Sequence, residues 1–159
     1  MSEETDAIHK AVSALSLLDK QDRITFFLRA KLCKELKDLK PHKKGFNGAK
    51  KLADFWASLG LKSSSVENAI RIHARFGELV DKHDLDVIPS RCQKALAIKS
   101  QDESAEYDLL VKCTSSVPYR DFSDEIRKAK GKPEQSSCDH SGEVENWRKC
   151  LDCQAWVRV

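Results

Sequence analysis

The densest chemistry in the chain lies in "CDHSGEVENWRKCLDC", residues 138–153, which holds three of the six cysteines and one of the five histidines. Cys138, His140, Cys150 and Cys153 offer two ligands on each side of a nine-residue spacer. Four thiolate and imidazole ligands suit tetrahedral zinc, at about 2.3 Å to sulfur and about 2.0 Å to nitrogen. A set of four leaves no open coordination position, so the expected role of a Zn(2+) ion is structural. The same residues are also compatible with three reduced cysteines and a histidine in a flexible tail.

Those ligands need a scaffold. "VENWRK" and "QAWVRV" flank the Cys-x-x-Cys turn and read as two short strands of a hairpin, with Trp147 and Trp156 available to cover one face. Residues 138–159 are too few to fold on apolar burial alone, and in such small modules metal binding supplies the folding free energy. Residues 132–137, in a stretch rich in Gly, Pro and Ser, read as a linker ahead of the hairpin. "CLDCQAW" resembles the second knuckle of zinc ribbons and related small zinc modules. Such knuckles usually carry Gly where this chain has Gln154, and their first pair is usually Cys-x-x-Cys, not Cys-x-His. Asp139 is therefore a second way to complete the shell.

The rest of the chain is helical in pattern. Ala7, Ala11, Ala14, Leu15 and Leu18 recur every three or four residues, as do Phe26, Phe27, Ala30, Cys33, Leu36 and Leu39 in "ITFFLRAKLCKELKDLK". Pro41 ends that second helix, and "HKKGFNG" reads as a loop. "AKKLADFWASLG" predicts a third helix closed by Gly60, and "SSSVENAIRIHARFGELVDKH" a fourth opened by a serine cap. "RCQKALAIKS", "SAEYDLLVKCTSS" and "PYRDFSDEIRKAKGK" predict three shorter ones. The expected fold is mainly α: a multi-helix bundle over residues 1–131, plus the small zinc-bound β-hairpin.

The junction "FWASLGLKSSSVENAI", residues 55–70, resembles a helix-turn-helix, the motif then spanning about 48–76. Phe55, Leu59, Gly60, Leu61, Val66 and Ile70 take its structural positions, with glycine in the turn and a second helix opening on small polar residues. Trp56 falls where such motifs usually place a small residue, which implies a wider crossing or a register shifted by one. On this reading Ser63, Ser64, Ser65, Glu67, Asn68 and Arg71 lie on or near the exposed face of the recognition helix. Asn can pair with adenine and Arg with guanine in the major groove. The five lysines and no acid of "KPHKKGFNGAKK", residues 40–51, lie just upstream. Lys43, Lys44, Lys50, Lys51 and Lys62 would neutralise phosphates, which sets affinity and not sequence choice. An ordinary helical hairpin with a solvated polar face fits the same pattern.

From the motif to residue 131 the order of elements resembles the DNA-binding part of the ParB partition-protein family: a helix-turn-helix, then "IPSRCQKALAI", "ESAEYDLLVKCTSS" and "PYRDFSDEIRKAKGK". The resemblance implies that the later helices brace the recognition helix and add backbone contacts. The arginine-rich nucleotide-binding domain that precedes this part in partition proteins is absent, so nucleotide switching and sliding are not implied.

Hydrophobic residues are 40% of the chain and charged residues 33%, a balance that excludes wholesale disorder. No apolar run approaches the roughly 20 residues needed to cross a bilayer, so no membrane partner is expected. "MSEETDAIHK" lacks a signal-peptide pattern; an intracellular (cytoplasmic) protein with reduced thiols is expected, which favours metal over disulfides. Asp121, Asp124 and Glu125 open a helix that closes on Arg127, Lys128 and Lys130, the charge order that a helix dipole favours. His73 is expected to pack on its own helix and His83 to be exposed. Cys33, Cys92 and Cys113 read as small buried hydrophobes. There is no Walker loop, GxGxxG or HExxH. These features together predict a non-enzymatic binder of double-stranded DNA, either a transcription regulator or a plasmid or virus partition-type factor, with a homodimer compatible with that role. The alternative is an adaptor whose helical face and zinc hairpin dock a protein partner.

Overall fold

The chain is mainly α-helical, and the computed structural model describes residues 2–18 and 25–131 of it. Among the described residues the elements in order are α1 (Glu3–Ser16), α2 (Phe26–Leu39), two 3-10 turns (Pro41–Lys44 and Phe46–Gly48), α3 (Leu52–Ser58), α4 (Ser63–His83), α5 (Pro89–Ala95), α6 (Glu103–Lys112) and α7 (Tyr119–Ala129). The chain divides into two units, Met1–Pro89 and Ser90–Val159. No described helix is long and apolar enough to cross a membrane.

Local chemistry explains where the helices of the first unit begin and end. The Ser2 hydroxyl accepts the Thr5 backbone N–H at 3.3 Å, and Glu3, Glu4 and Asp6 place negative charge at the positive end of the α1 dipole. α2 stops because Lys40 turns left-handed at φ 50° and Pro41 has no N–H with which to continue the ladder. Each helix then buries one stripe. Ile8 and Ala11 of α1, Cys33 and Leu36 of α2, Phe55 and Trp56 of α3, and Val66 and Ile70 of α4 form one cluster together with Ala49. Burial of each large apolar side chain is worth about 1.5–3 kcal/mol, which outweighs the modest propensity of these short helices. α2 is central, packing on both α1 and α4.

In the second unit the Asp102 carboxylate caps α6 by accepting the Ala105 N–H at 2.8 Å. Cys92, Ala95, Leu110, Cys113, Phe122 and Ile126 are buried there. Arg91 is buried beside them. Its Nη1 donates to the Thr114 carbonyl at 2.8 Å and the Val117 carbonyl at 2.7 Å, and its guanidinium stands over the Phe122 ring at 5.2 Å. A buried cation is tolerated when its donors are occupied and its charge faces a ring. One side chain thus joins α5 to the turn before α7.

Candidate nucleic-acid interface

α3 and α4 are joined by four residues whose hydrogen bonds define the turn. The Gly60 N–H donates to the Ala57 carbonyl at 2.9 Å and the Leu61 N–H to the Trp56 carbonyl at 2.9 Å. This double closure is a Schellman motif, and it requires the left-handed φ of 71° that Gly60 adopts. Leu61 then packs against the core, as an apolar residue after such a turn does. The glycine turn expected from sequence is present. The serine cap is not: Lys62 holds the N-cap position of α4 without a side-chain cap bond, and Ser63 already has helical backbone. Ser63, Ser64 and Ser65 are exposed residues of the first turn. Ser64, Asn68 and Arg71 follow at i, i+4 and i+7, one face of the helix. Arg71 is exposed on that face and Asn68 half-buried.

Trp56 is completely buried, and its indole Nε1 has no hydrogen-bond partner among the described residues. The large ring at the crossing is accommodated by the core, its centroid 5.0 Å from that of Phe55. Phe55 lies 6.0 Å from Phe46, edge to face, and Phe46 lies 4.8 Å from the His9 ring of α1. Phe46 is the residue that sequence reading passes over as part of a loop. The lysine-rich segment is two 3-10 turns, with Lys40, Gly45, Asn47 and Gly48 all at positive φ. Phe46 anchors those turns between α1 and α3. Its signal is one aromatic residue between two glycines, too short for any periodicity.

The nominated side chains divide into open and engaged groups. Lys43, Lys50, Lys51 and Lys62 are exposed. The Lys51 backbone N–H bonds the Asp54 carboxylate at 3.1 Å, an interaction that starts α3 without involving the ammonium. Lys44 pairs with Glu4 of α1, and the hydrogen bond and charge of Lys44 hold the Glu4 carboxyl below its ordinary value. Glu67 is half-buried and accepts Lys37 of α2 at 2.8 Å. Glu67 therefore faces α2 with its carboxylate committed. Arg75, one turn beyond Arg71, sets its guanidinium 4.8 Å over the Phe76 ring and was not foreseen. Ser65 has an apolar surrounding: with Leu15, Phe26, Arg29, Ala30, Cys33, Leu61, Val66 and Ala69 it lines a depression of about 200 Å³.

Cys33, Cys92 and Cys113 are buried free thiols. Burial pushes the Cys33 thiol up to about 11, with Arg29 opposing, and a hydrogen bond with Cys113 together with burial raises Cys92. Neither is a ready thiolate. His73 lies along its own helix, its Cδ2 3.0 Å from where a Cβ on Gly77 would stand, and His83 is exposed. Asp121 occupies the first turn of α7 and Arg127 and Lys128 the last, while Asp124 is buried. No group of three or more metal-ligating side chains occurs among the described residues. Cys138, His140, Cys150 and Cys153, with the hairpin and linker expected around them, lie outside the described residues. No family model matches the chain, and no curated protein or solved structure matches it.

Proposed function

We propose that the protein is a non-enzymatic binder of double-stranded DNA that presents the start of α4 to the major groove. The observation that carries this reading is the α3–Schellman turn–α4 unit: a glycine turn of four residues followed by a helix whose first turn shows three exposed serines, with Arg71 exposed two turns on. Helix N-termini with short polar side chains and an arginine are suited to base edges and phosphates. Lys43, Lys50, Lys51 and Lys62 supply cations around it, and Phe46 holds the segment that bears the first of them. The order α5, α6, α7 after the motif is the one on which the resemblance to partition proteins rests. We keep transcription control and partition as the two roles this chemistry serves, inside a cell and with one structural Zn(2+) in the tail.

The test is a duplex titration at several salt concentrations. Lys43→Ala with Lys50→Ala should weaken binding to every sequence and lower the salt slope by about 0.9 for each phosphate no longer neutralised. Asn68→Ala or Arg71→Ala should reduce preference for a selected site by roughly 1–3 kcal/mol. Equal behaviour of the two sets would sink the recognition-helix assignment.

One observation favours an adaptor as a second reading. The depression that Ser65 helps to line is apolar apart from Ser65 and Arg29, and it shares Leu15 and Leu61 with a second of about 90 Å³ also lined by Val12, Ser16, Leu18 and Leu59. Apolar hollows of this kind accept partner side chains. Absence of any duplex binding would transfer the function to this face.

A further inference from the structure

Of the lysines assigned to phosphate, Lys44 is distinguished by what it touches. Its ammonium is paired with the carboxylate of Glu4, 40 residues away in sequence and on another helix. Lys44 is an exposed residue, as are Lys43 and Lys50 in the same segment. Glu4 belongs to an acidic first turn with Glu3 and Asp6, so the pair sits in a locally negative field. A carboxylate offers an ammonium what a phosphodiester offers it: two oxygens sharing one negative charge.

We propose that the first turn of α1 is an internal competitor for the DNA backbone, Glu4 occupying Lys44 in the free protein so that duplex phosphate and carboxylate contend for one ammonium. This inference rests on the DNA-binding reading and adds to it a limit on affinity set by α1. Its size is small, because the Lys44 side chain is 27% exposed and that of Glu4 67% exposed. Exposed pairs of this kind are worth only a fraction of the interaction that a buried pair provides, and salt screens them. Small size suits the role: a competitor held too firmly would remove Lys44 from binding altogether. Two consequences follow. Neutralising Glu4 should release one more cation to the backbone, and the effect should require Lys44.

The experiment is a polarisation titration of a labelled random-sequence duplex with the full chain, at four salt concentrations, for the unaltered protein, Glu4→Gln, Glu3→Gln, Lys44→Ala and the Glu4→Gln/Lys44→Ala double variant. Glu3→Gln removes the same charge one residue away, and helix content by circular dichroism checks that every variant is folded. Glu4→Gln should tighten binding at low salt by roughly two- to five-fold and steepen the salt slope by about 0.9. Glu3→Gln should do less, and in the Lys44→Ala background Glu4→Gln should gain no more than Glu3→Gln does. Equal gains from Glu3→Gln and Glu4→Gln, or a Glu4→Gln gain that survives removal of Lys44, would overturn the competition and leave a general charge effect. If the unaltered protein binds duplex and Glu4→Gln changes nothing, the inference falls and the DNA reading stands. If no variant binds duplex, both fall.

Discussion

The Lys37 ammonium of α2 lies 2.8 Å from the Glu67 carboxylate of α4, across the helix pair that forms the centre of the first unit. Glu67 stands one turn into the helix assigned to base reading, yet its charge is directed inward to a neighbour 30 residues earlier. It ties α4 to α2, while Ser64 and Arg71 are exposed and Asn68 is half-buried.

Glu67→Gln should therefore cost stability and leave base preference alone. Both side chains are about a third exposed, 37% and 34%, so solvent screening holds the loss below about 1 kcal/mol in urea unfolding. Selection of bound duplexes should return the same site for Glu67→Gln as for the unaltered protein. A changed site would place Glu67 at the bases.

Trp56 combines a large buried ring with a buried N–H that finds no acceptor among the described residues. Trp56→Ala should destabilise by about 3–5 kcal/mol through the cavity it opens. Trp56→Phe loses part of that volume but also removes the unpaired donor, which offsets part of the cost. We expect it to lose roughly 1–2 kcal/mol. Equal denaturation midpoints for the two variants would mean that the indole N–H is satisfied.

Arg91 is the cation in the second unit whose removal should matter most. Arg91→Ala removes the donor to the Thr114 and Val117 carbonyls, of which Thr114 keeps the Val117 N–H at 3.3 Å, and takes away the guanidinium over Phe122, for an expected cost of roughly 2–4 kcal/mol. Arg91→Lys should fall between, since one ammonium cannot reproduce the planar fork. Hydrogen exchange localises the effect: amides of α5 and α7 should lose the most protection. Deprotection confined to other helices would remove Arg91 from its role as the joint.

The terminal ligand set predicts about one zinc per chain by elemental analysis, held by Cys138, His140, Cys150 and Cys153. Chelation or Cys150→Ser should release it while helix content changes little, because a module of this size depends on its metal and a bundle does not. A metal-free protein after zinc-supplemented expression would withdraw the site.

Helices α1 to α7 are legible in the chain because apolar spacing every three or four residues is a local property, and so is the need for glycine at a left-handed turn. Pro41 and Gly60 stop helices through their own covalent geometry, wherever the rest of the protein lies. The expectation of a metal site at Cys138, His140, Cys150 and Cys153 is of the same kind, since it rests on residue type and spacing alone. What each charge does is decided elsewhere. Glu67 reads as part of the exposed face of the recognition helix and Lys44 as a phosphate contact, because both fall on polar positions of the pattern. Only the packing of α2 and α1 brings Lys37 and Glu4 to them, 30 and 40 residues off in sequence. Arg91 carries no mark of burial in its own segment and yet lies buried, because its two carbonyl partners come from a turn more than twenty residues later. Periodicity reports which side chains avoid water. The partner of a charge depends on distance in space, and tertiary packing sets that distance.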